Sequence, residues 1–284
     1  MIGTALAARL RELGAAVCII GRSARADAQW DGRTLGPWVS EFESAEAVIN
    51  LAGSSIAVPW TPENRALILS SRTDSTAVIA KAIDACAQPP KIWINASGVG
   101  FYGDRGEEEL SELSATGTGF LAEVCQRWES SILTAPVPMT RKVVIRLGSV
   151  MSAEEGAFPV LKKLAAMFLG GAHGNGRQWF PMVALPDVIG ATLHVLSHQI
   201  SGPVNVVIPN PVRNSDFMAE LRTQLRRPFS PPAPAFMLKL AGFARAPAPE
   251  LLLEGARVRP DTLLSTGYTF EYPTVQEVIR YSLR

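Results

Sequence analysis

From residue 2 to residue 13 the apolar positions Ile2, Leu6, Leu10 and Leu13 recur at helical spacing, and Gly14 follows as a stop, which predicts a helix. Residues 16–20 are an unbroken apolar run closed by Gly21, the pattern of a short buried strand. The alternation repeats: 47–51 predicts a strand ending at Gly53, 62–87 a long helix, and 91–96 a strand ending in Ser97-Gly98. Residues 120–133 then read as helix, 142–147 as strand, 187–196 as helix and 203–208 as strand. Short strands that are apolar on both faces and alternate with helices predict a parallel sheet covered on both sides, a doubly wound α/β fold.

The pattern changes near Arg227, where Pro228, Pro231, Pro232 and Pro234 break any helix. A boundary at 230/231 follows, with an α/β domain over 1–230 and a C-terminal segment over 231–284. That segment carries apolar helical stretches over 236–243 and 251–258, and an amphipathic one over 274–281. About fifty residues are too few for an independent core, so it is expected to pack on the main domain as a small, mainly helical cap.

Composition narrows the function classes. With 284 residues, 47% hydrophobic and 19% charged, the chain has a core-forming balance. A net charge of +1, with basic residues scattered along the chain, supplies no field for nucleic acid. Charges interrupt every apolar run short of the ~18 residues that a bilayer span needs, so no membrane partner is expected. Cys18, Cys86 and Cys125 are odd in number and widely spaced. This predicts a reducing compartment, cytoplasm or an organelle matrix, and no charged leader resembling a signal peptide opens the chain. His173, His194 and His198 lack a third ligand, so no metal site is expected. The acidic run Glu107-Glu108-Glu109 with Glu112 reads as a solvated loop and helix start.

In open α/β sheets ligands bind beyond the carboxyl ends of the strands. The first such end is Gly21-Arg22-Ser23, about twenty residues past Gly3, where a dinucleotide fold reads the adenosine ribose. No acidic residue stands there; the guanidinium fork of Arg22, with Ser23 as hydrogen-bond partner, suits a 2′-phosphate, so NADP(H) is expected over NAD. The plain alternative is a solvated loop arginine. The second end is Asn50-Leu51-Ala52-Gly53, whose small residues let backbone approach a flat ligand. Residues 95–103, the Arg146-Leu147-Gly148-Ser149-Val150 end, and the loop Gly174-Asn175-Gly176-Arg177-Gln178-Trp179-Phe180-Pro181 complete the set.

The ordered stretches NLAG, SGVGFYGD, FLAEVCQRWE, IRLGSVM, GNGRQWFP and LLLEGARVRPDTLLSTGYTFEYP resemble the epimerase-family proteins of the SDR39U1 type, an atypical subgroup of the extended short-chain dehydrogenase/reductases. The resemblance spans nearly the whole chain and includes the family's own C-terminal domain. It implies a Rossmann core that binds NADP(H), with Gly3, Gly21, Arg22, Ser23, Leu51, Ala52, Gly53, Arg72, Ser97 and Val150 around the cofactor. It places Arg177, Gln178 and Trp179 on the substrate side, facing a small molecule of undefined identity. A helix-mediated homodimer is the partner it implies.

Three departures accompany the match. Phe120 and Val124 stand where relatives carry the Tyr-x-x-x-Lys pair, and Gly98, or at best Ser97, stands where the assisting hydroxyl belongs. The nearest replacement proton carriers are Ser97, Tyr102 and Asp104. NLAGS has Ser54 where the family carries an acid. Gly3 corresponds to the last glycine of the family's G-x-x-G-x-x-G loop, which leaves a start set too late or an alternative start, a fragment, or a chain that has lost cofactor binding, and of these the late or alternative start, with the strand and glycines upstream, is expected. Two activities fit: an NADP(H)-dependent oxidoreductase or epimerase of a small hydroxylated substrate, or a non-catalytic NADPH-binding sensor or scaffold.

Overall fold

A computed structural model describes residues 1–236 and 248–284. In chain order, α1 (Ile2–Glu12) leads to β1 (Ile20–Gly21) and β2 (Ala28–Gln29), then to β3 (Ala47–Asn50), α2 (Pro62–Asp84) and β4 (Ile92–Gly98). Next come β5 (Glu109–Leu110), α3 (Phe120–Leu133), β6 (Arg141–Leu147), β7 (Ser149–Met151) and α4 (Phe158–Ala166). β8 (Met182–Ala184), α5 (Leu185–Ser197), β9 (Gly202–Val206) and α6 (Asn214–Gln224) follow. The C-terminal segment contributes α7 (Glu250–Leu253), β10 (Arg257–Val258), α8 (Asp261–Ser265) and α9 (Val275–Leu283).

The central sheet runs β3-β4-β6-β9, with each neighbouring pair parallel. Its two-residue period sends apolar side chains to both faces. Ile92, Ile94, Ala96, Val143 and Ile145 meet Val188, Ala191 and Val195 of α5 on one side. Trp93 and Val144 meet Val78, Ile79 and Ala82 of α2 and Ile132 of α3 on the other. Each such side chain removed from water contributes roughly 1.5–3 kcal/mol, enough to fix β4 and β6 in the middle of the sheet. Thr61 starts α2 by accepting from Asn64 N, with Pro62 pre-set for the first helical position. These elements form a Rossmann-like α/β fold with parallel strands and helices on both faces.

The structure departs from the sequence reading in three places. Of the strand expected over 16–20, only Ile20 pairs, and it does so with Ala28 of β2 rather than with the central sheet. Residues 251–258 divide into the helical turn α7 and the strand β10 instead of one helix, because Arg257 and Val258 pair with Glu109 and Leu110 of β5. The helix expected over 236–243 lies, apart from its first residue, outside the described residues.

The C-terminal segment shares the core of the rest of the chain. Leu263 and Phe270 join the cluster beneath α5, and Val275, Val278 and Ile279 of α9 pack with Phe217, Met218 and Leu221 of α6. Asp187, fully buried at the start of α5, fastens the junction by accepting from Glu271 N, Tyr272 N and the Tyr268 hydroxyl. Burial pushes its carboxyl above the usual range, while those three donors oppose the shift.

Candidate functional site

The carboxyl ends of β3, β4 and β6 share one edge of the sheet, and the loops that leave them build the site. Asn50, the last residue of β3, is buried; it donates to Asn95 Oδ1 at 2.7 Å and accepts from Ala52 N at 3.0 Å. Its side chain therefore braces the Leu51-Ala52-Gly53 turn. Thr76 of α2 supports the brace by donating to Arg72 O and accepting from Trp128 Nε1.

Arg72 reaches this turn from α2. Its Nη1 donates to Ser54 O and Ile68 O, and its guanidinium lies 5.0 Å from the Trp128 ring. A Cβ on Gly53 would stand 3.1 Å from Arg72 Cζ, so only glycine leaves the backbone and guanidinium at this separation without displacement. Among the described residues no carboxylate pairs with Arg72. Burial lowers its pKa, opposed only by the Cys125 thiol and by no carboxylate, so an anion at this position would be favoured. Gly21, Arg22, Leu51, Ala52 and Gly53 line one continuous cleft with Gly3 of α1, where an added Cβ would stand 3.6 Å from Leu51 Cδ1. Arg22 is exposed there, and the Ser23 hydroxyl accepts from Arg25 N. Val150 lies on β7 opposite Val183; its carbonyl faces Gly156 and its side chain packs against the main core.

The hydroxyls nearest the β4 end are engaged elsewhere. Ser97 is buried and donates to Glu129 Oε1 at 2.7 Å. Tyr102 has no exposed surface; it contacts Ser111 O and Asn205 Oδ1 and accepts from Arg146 Nη1 at 2.8 Å. Burial pushes the Tyr102 hydroxyl up to about 12, even though Arg146 works in the opposite direction. Asp104 accepts from Gly106 N and so shapes a turn. Phe120, at the first position of α3, is covered by Arg65 at 4.1 Å and by the Trp60 ring. Val124 is buried, and a Cβ on Gly98 would sit 3.9 Å from Cys125 Sγ. Burial pushes that thiol up to about 11.

Sequence reasoning missed Glu129, whose partner is Arg146. Glu129 looks like a surface residue of an amphipathic helix, yet both groups are buried and joined by two hydrogen bonds. The one available signal was Arg146 itself, a charge inside an apolar central strand that requires a counter-charge. Glu112 was misread too. It is buried and accepts from Asn205 N and Thr262 N, while Glu107, Glu108 and Glu109 pair with Arg213, Arg105 and Arg257. Glu109 and Glu112 therefore tie the C-terminal segment to the core, a role the solvated-loop reading did not include.

Of the substrate-side residues, Arg177 is exposed, and its backbone closes a turn through Asn175. Gln178 donates to Leu252 O at 2.7 Å and to His173 O, so its amide holds the C-terminal segment. Trp179 donates to Gly106 O, and its ring is covered by Arg213 at 3.8 Å and Arg257 at 5.2 Å. A Cβ on Gly255 would meet Trp179 O at 1.8 Å, so the two backbones touch.

A parallel doubly wound sheet whose carboxyl edge combines glycine turns with a half-buried arginine that has no carboxylate partner among the described residues is the frame of a Rossmann-type dinucleotide-binding protein. The profile of the NAD dependent epimerase/dehydratase family matches residues 1–208, and that of a domain of unknown function, DUF1731, matches residues 233–281. The chain is 34% identical over 292 residues to the epimerase family protein ML0860 of Mycobacterium leprae, covering 99% of this chain and 92% of that one. It is 32% identical over 286 residues to human epimerase family protein SDR39U1, covering 98% and 95%. A crystal structure of human SDR39U1, isoform 2, with NADPH superposes with a TM-score of 0.91 at 30% identity, covering 100% of this chain and 96% of that one. The chain belongs to the NAD dependent epimerase/dehydratase family.

Proposed function

We propose that the chain binds NADP(H) across the carboxyl ends of β1 and β3 and acts as an epimerase-family oxidoreductase on a small molecule held between the core and the C-terminal segment. The observation that carries the reading is Arg72. It is half-buried against Trp128 and directed at the Gly53 turn, and it has no acidic partner among the described residues. A phosphate oxygen at that turn would supply the missing negative charge, and a side chain at Gly53 would take its room. Arg22, exposed at the end of β1, suits the 2′-phosphate that separates NADP(H) from NAD(H). The NADPH bound to human SDR39U1 supports the same cofactor here. When bound, NADP(H) supplies or accepts a hydride.

The chain's own residues provide no Tyr–Lys proton relay at α3. Phe120 and Val124 carry no group that can move a proton, and the Ser97 and Tyr102 hydroxyls are held in a buried network. A proton would then pass between substrate and solvent or through the substrate's own groups. The same observation favours a second reading, an NADPH-binding sensor or scaffold in which the cofactor stabilises one conformation by mass action.

Thermal shifts with NADPH and NADH test the cofactor. NADPH should stabilise the wild type more than NADH does, Arg22→Ala should remove the preference, and Arg72→Met should weaken both. No response to either nucleotide in the wild type would overturn the reading. NADPH absorbance followed with a panel of aldehydes, ketones and quinones separates the two activities, since the sensor leaves it constant.

A further inference from the structure

Two cation–ring pairs bridge α2 and α3 like rungs of one ladder. Arg72 lies 5.0 Å from the Trp128 ring, and Arg65 lies 4.1 Å from the Phe120 ring. The rungs are seven residues apart on α2 and eight on α3, which is about 10–12 Å at the ~1.5 Å rise of a helix. The inner rung faces the Gly53 turn, and the outer one sits where both helices begin, beside the chain that leaves β3.

The outer rung carries a second ring. Trp60, between β3 and α2, stands 4.9 Å from Phe120 with the ring planes at 66°. Its Nε1 donates to Ile56 O, and Asn64 Nδ2 donates to Pro59 O, so the loop holds the indole in place. Both rings are half-buried and keep part of their surface open, and Arg65 beside them is exposed. Among the described residues the Arg65 guanidinium has no carboxylate partner; its contact is the Phe120 ring.

This is a flat apolar wall beside a permanent cation. Arginine keeps its proton above pH ~12, so it stabilises an oxyanion without protonating it. Hydride addition to a simple ketone makes an alkoxide nearly as basic as hydroxide, whose parent water has a pKa of about 15.7, and such a product demands a proton from the protein. Addition to a quinone makes a phenolate, close to the ~10 of tyrosine, which can take its proton from water. The two oxyanions differ roughly 10⁵- to 10⁶-fold in proton affinity, and a site without a proton relay on α3 is suited to the second.

We infer that Trp60, Phe120 and Arg65 form the acceptor subsite, that the acceptor is a flat quinone stacked against the two rings, and that Arg65 stabilises the oxyanion formed on it. The inference rests on the oxidoreductase reading above. One quinone oxygen takes the hydride released when the C–H bond at nicotinamide C4 of NADPH breaks, and an O–H bond forms there. The ring electrons rearrange to leave a phenolate at the other oxygen, beside Arg65, and that oxygen takes one proton from water. NADP⁺ and the hydroquinone result.

Duroquinone is the probe, because its four methyl groups block addition of the cysteine thiols. In equilibrium dialysis without nucleotide, the wild type should bind it saturably, Trp60→Leu at least about tenfold more weakly, and Arg65→Met within about twofold of the wild type. With NADPH, the wild type should reduce duroquinone at least about a hundredfold faster than cyclohexanone. Arg65→Met should lower kcat about tenfold at similar KM, less than the 10²–10³ of a water-excluded oxyanion donor because Arg65 is exposed, and Arg65→Lys should recover part of the loss. No saturable binding, binding unchanged in Trp60→Leu, cyclohexanone reduced as fast as duroquinone, or a wild-type kcat in Arg65→Met would each overturn the inference. Binding is read without nucleotide, so failure there overturns this inference alone, whereas absence of a thermal shift with NADPH overturns the cofactor reading.

Discussion

Arg146 and Glu129 face each other in two hydrogen bonds of 2.9 and 2.7 Å, with both side chains 4% exposed. Burial opposes the charge on Arg146, but the carboxylate outweighs it and the guanidinium pKa is raised. The pair joins α3 to β6 and holds the Ser97 and Tyr102 hydroxyls. Removing one partner leaves a buried charge uncompensated. Glu129→Ala should therefore cost about 3–5 kcal/mol in urea unfolding, and the double variant Glu129→Leu/Arg146→Met should recover most of that loss. A loss under 1 kcal/mol for the single variant would contradict this account.

Tyr102 lies in the same network without facing the cleft. Tyr102→Phe leaves Arg146 Nη1 and Asn205 Oδ1 each short of a partner, for an expected cost of about 1–3 kcal/mol. NADPH affinity should stay within twofold of the wild type. A large loss of affinity at unchanged stability would place the phenol in the binding site instead.

Gly255 tests the attachment of the C-terminal segment. Gly255→Ala puts a methyl group into the Trp179 carbonyl, a backbone contact that no rotamer relieves. The expected destabilisation is at least the ~1–3 kcal/mol of an overpacked core site, with increased proteolysis near Leu252, the carbonyl that Gln178 holds. Gly267→Ala is the comparison. Its site is open, so its cost is conformational only.

Stability should fall on mild acidification. Burial holds His173 below its ordinary pKa, and burial, followed by the neighbouring His198, does the same to His194. The unfolded chain therefore takes up these protons first. The stability they contribute is complete above pH ~6.5 and is lost as pH drops below it. The Tm should be lower at pH 5.5 than at pH 7.5, and His173→Gln should shrink the difference. An unchanged slope in the variant would remove His173 from the account.

The sequence by itself determined the alternation of strands and helices, because burial on both faces of a parallel sheet requires short apolar runs, and β4, α3 and β6 fall within two residues of the readings made from it. It also marked the glycine turns and Arg22 and Arg72 beside them, since strand-end chemistry is local and appears as short motifs. What only the tertiary structure decided were relationships between residues far apart in the chain. Glu129 became buried because Arg146 came to lie above it, and Glu112 because β9 and α8 turned their amides toward it. Within the run 16–20 it is Ile20 that pairs, and its partner is Ala28 of β2, which no apolar run in the sequence announces. Gln178 and Trp179 were taken up by the C-terminal segment, a contact spanning some seventy residues that no local pattern encodes. Hydrophobic period is a property of neighbours along the chain, whereas the partner of a buried charge or an open strand edge is set by whatever the fold brings beside it.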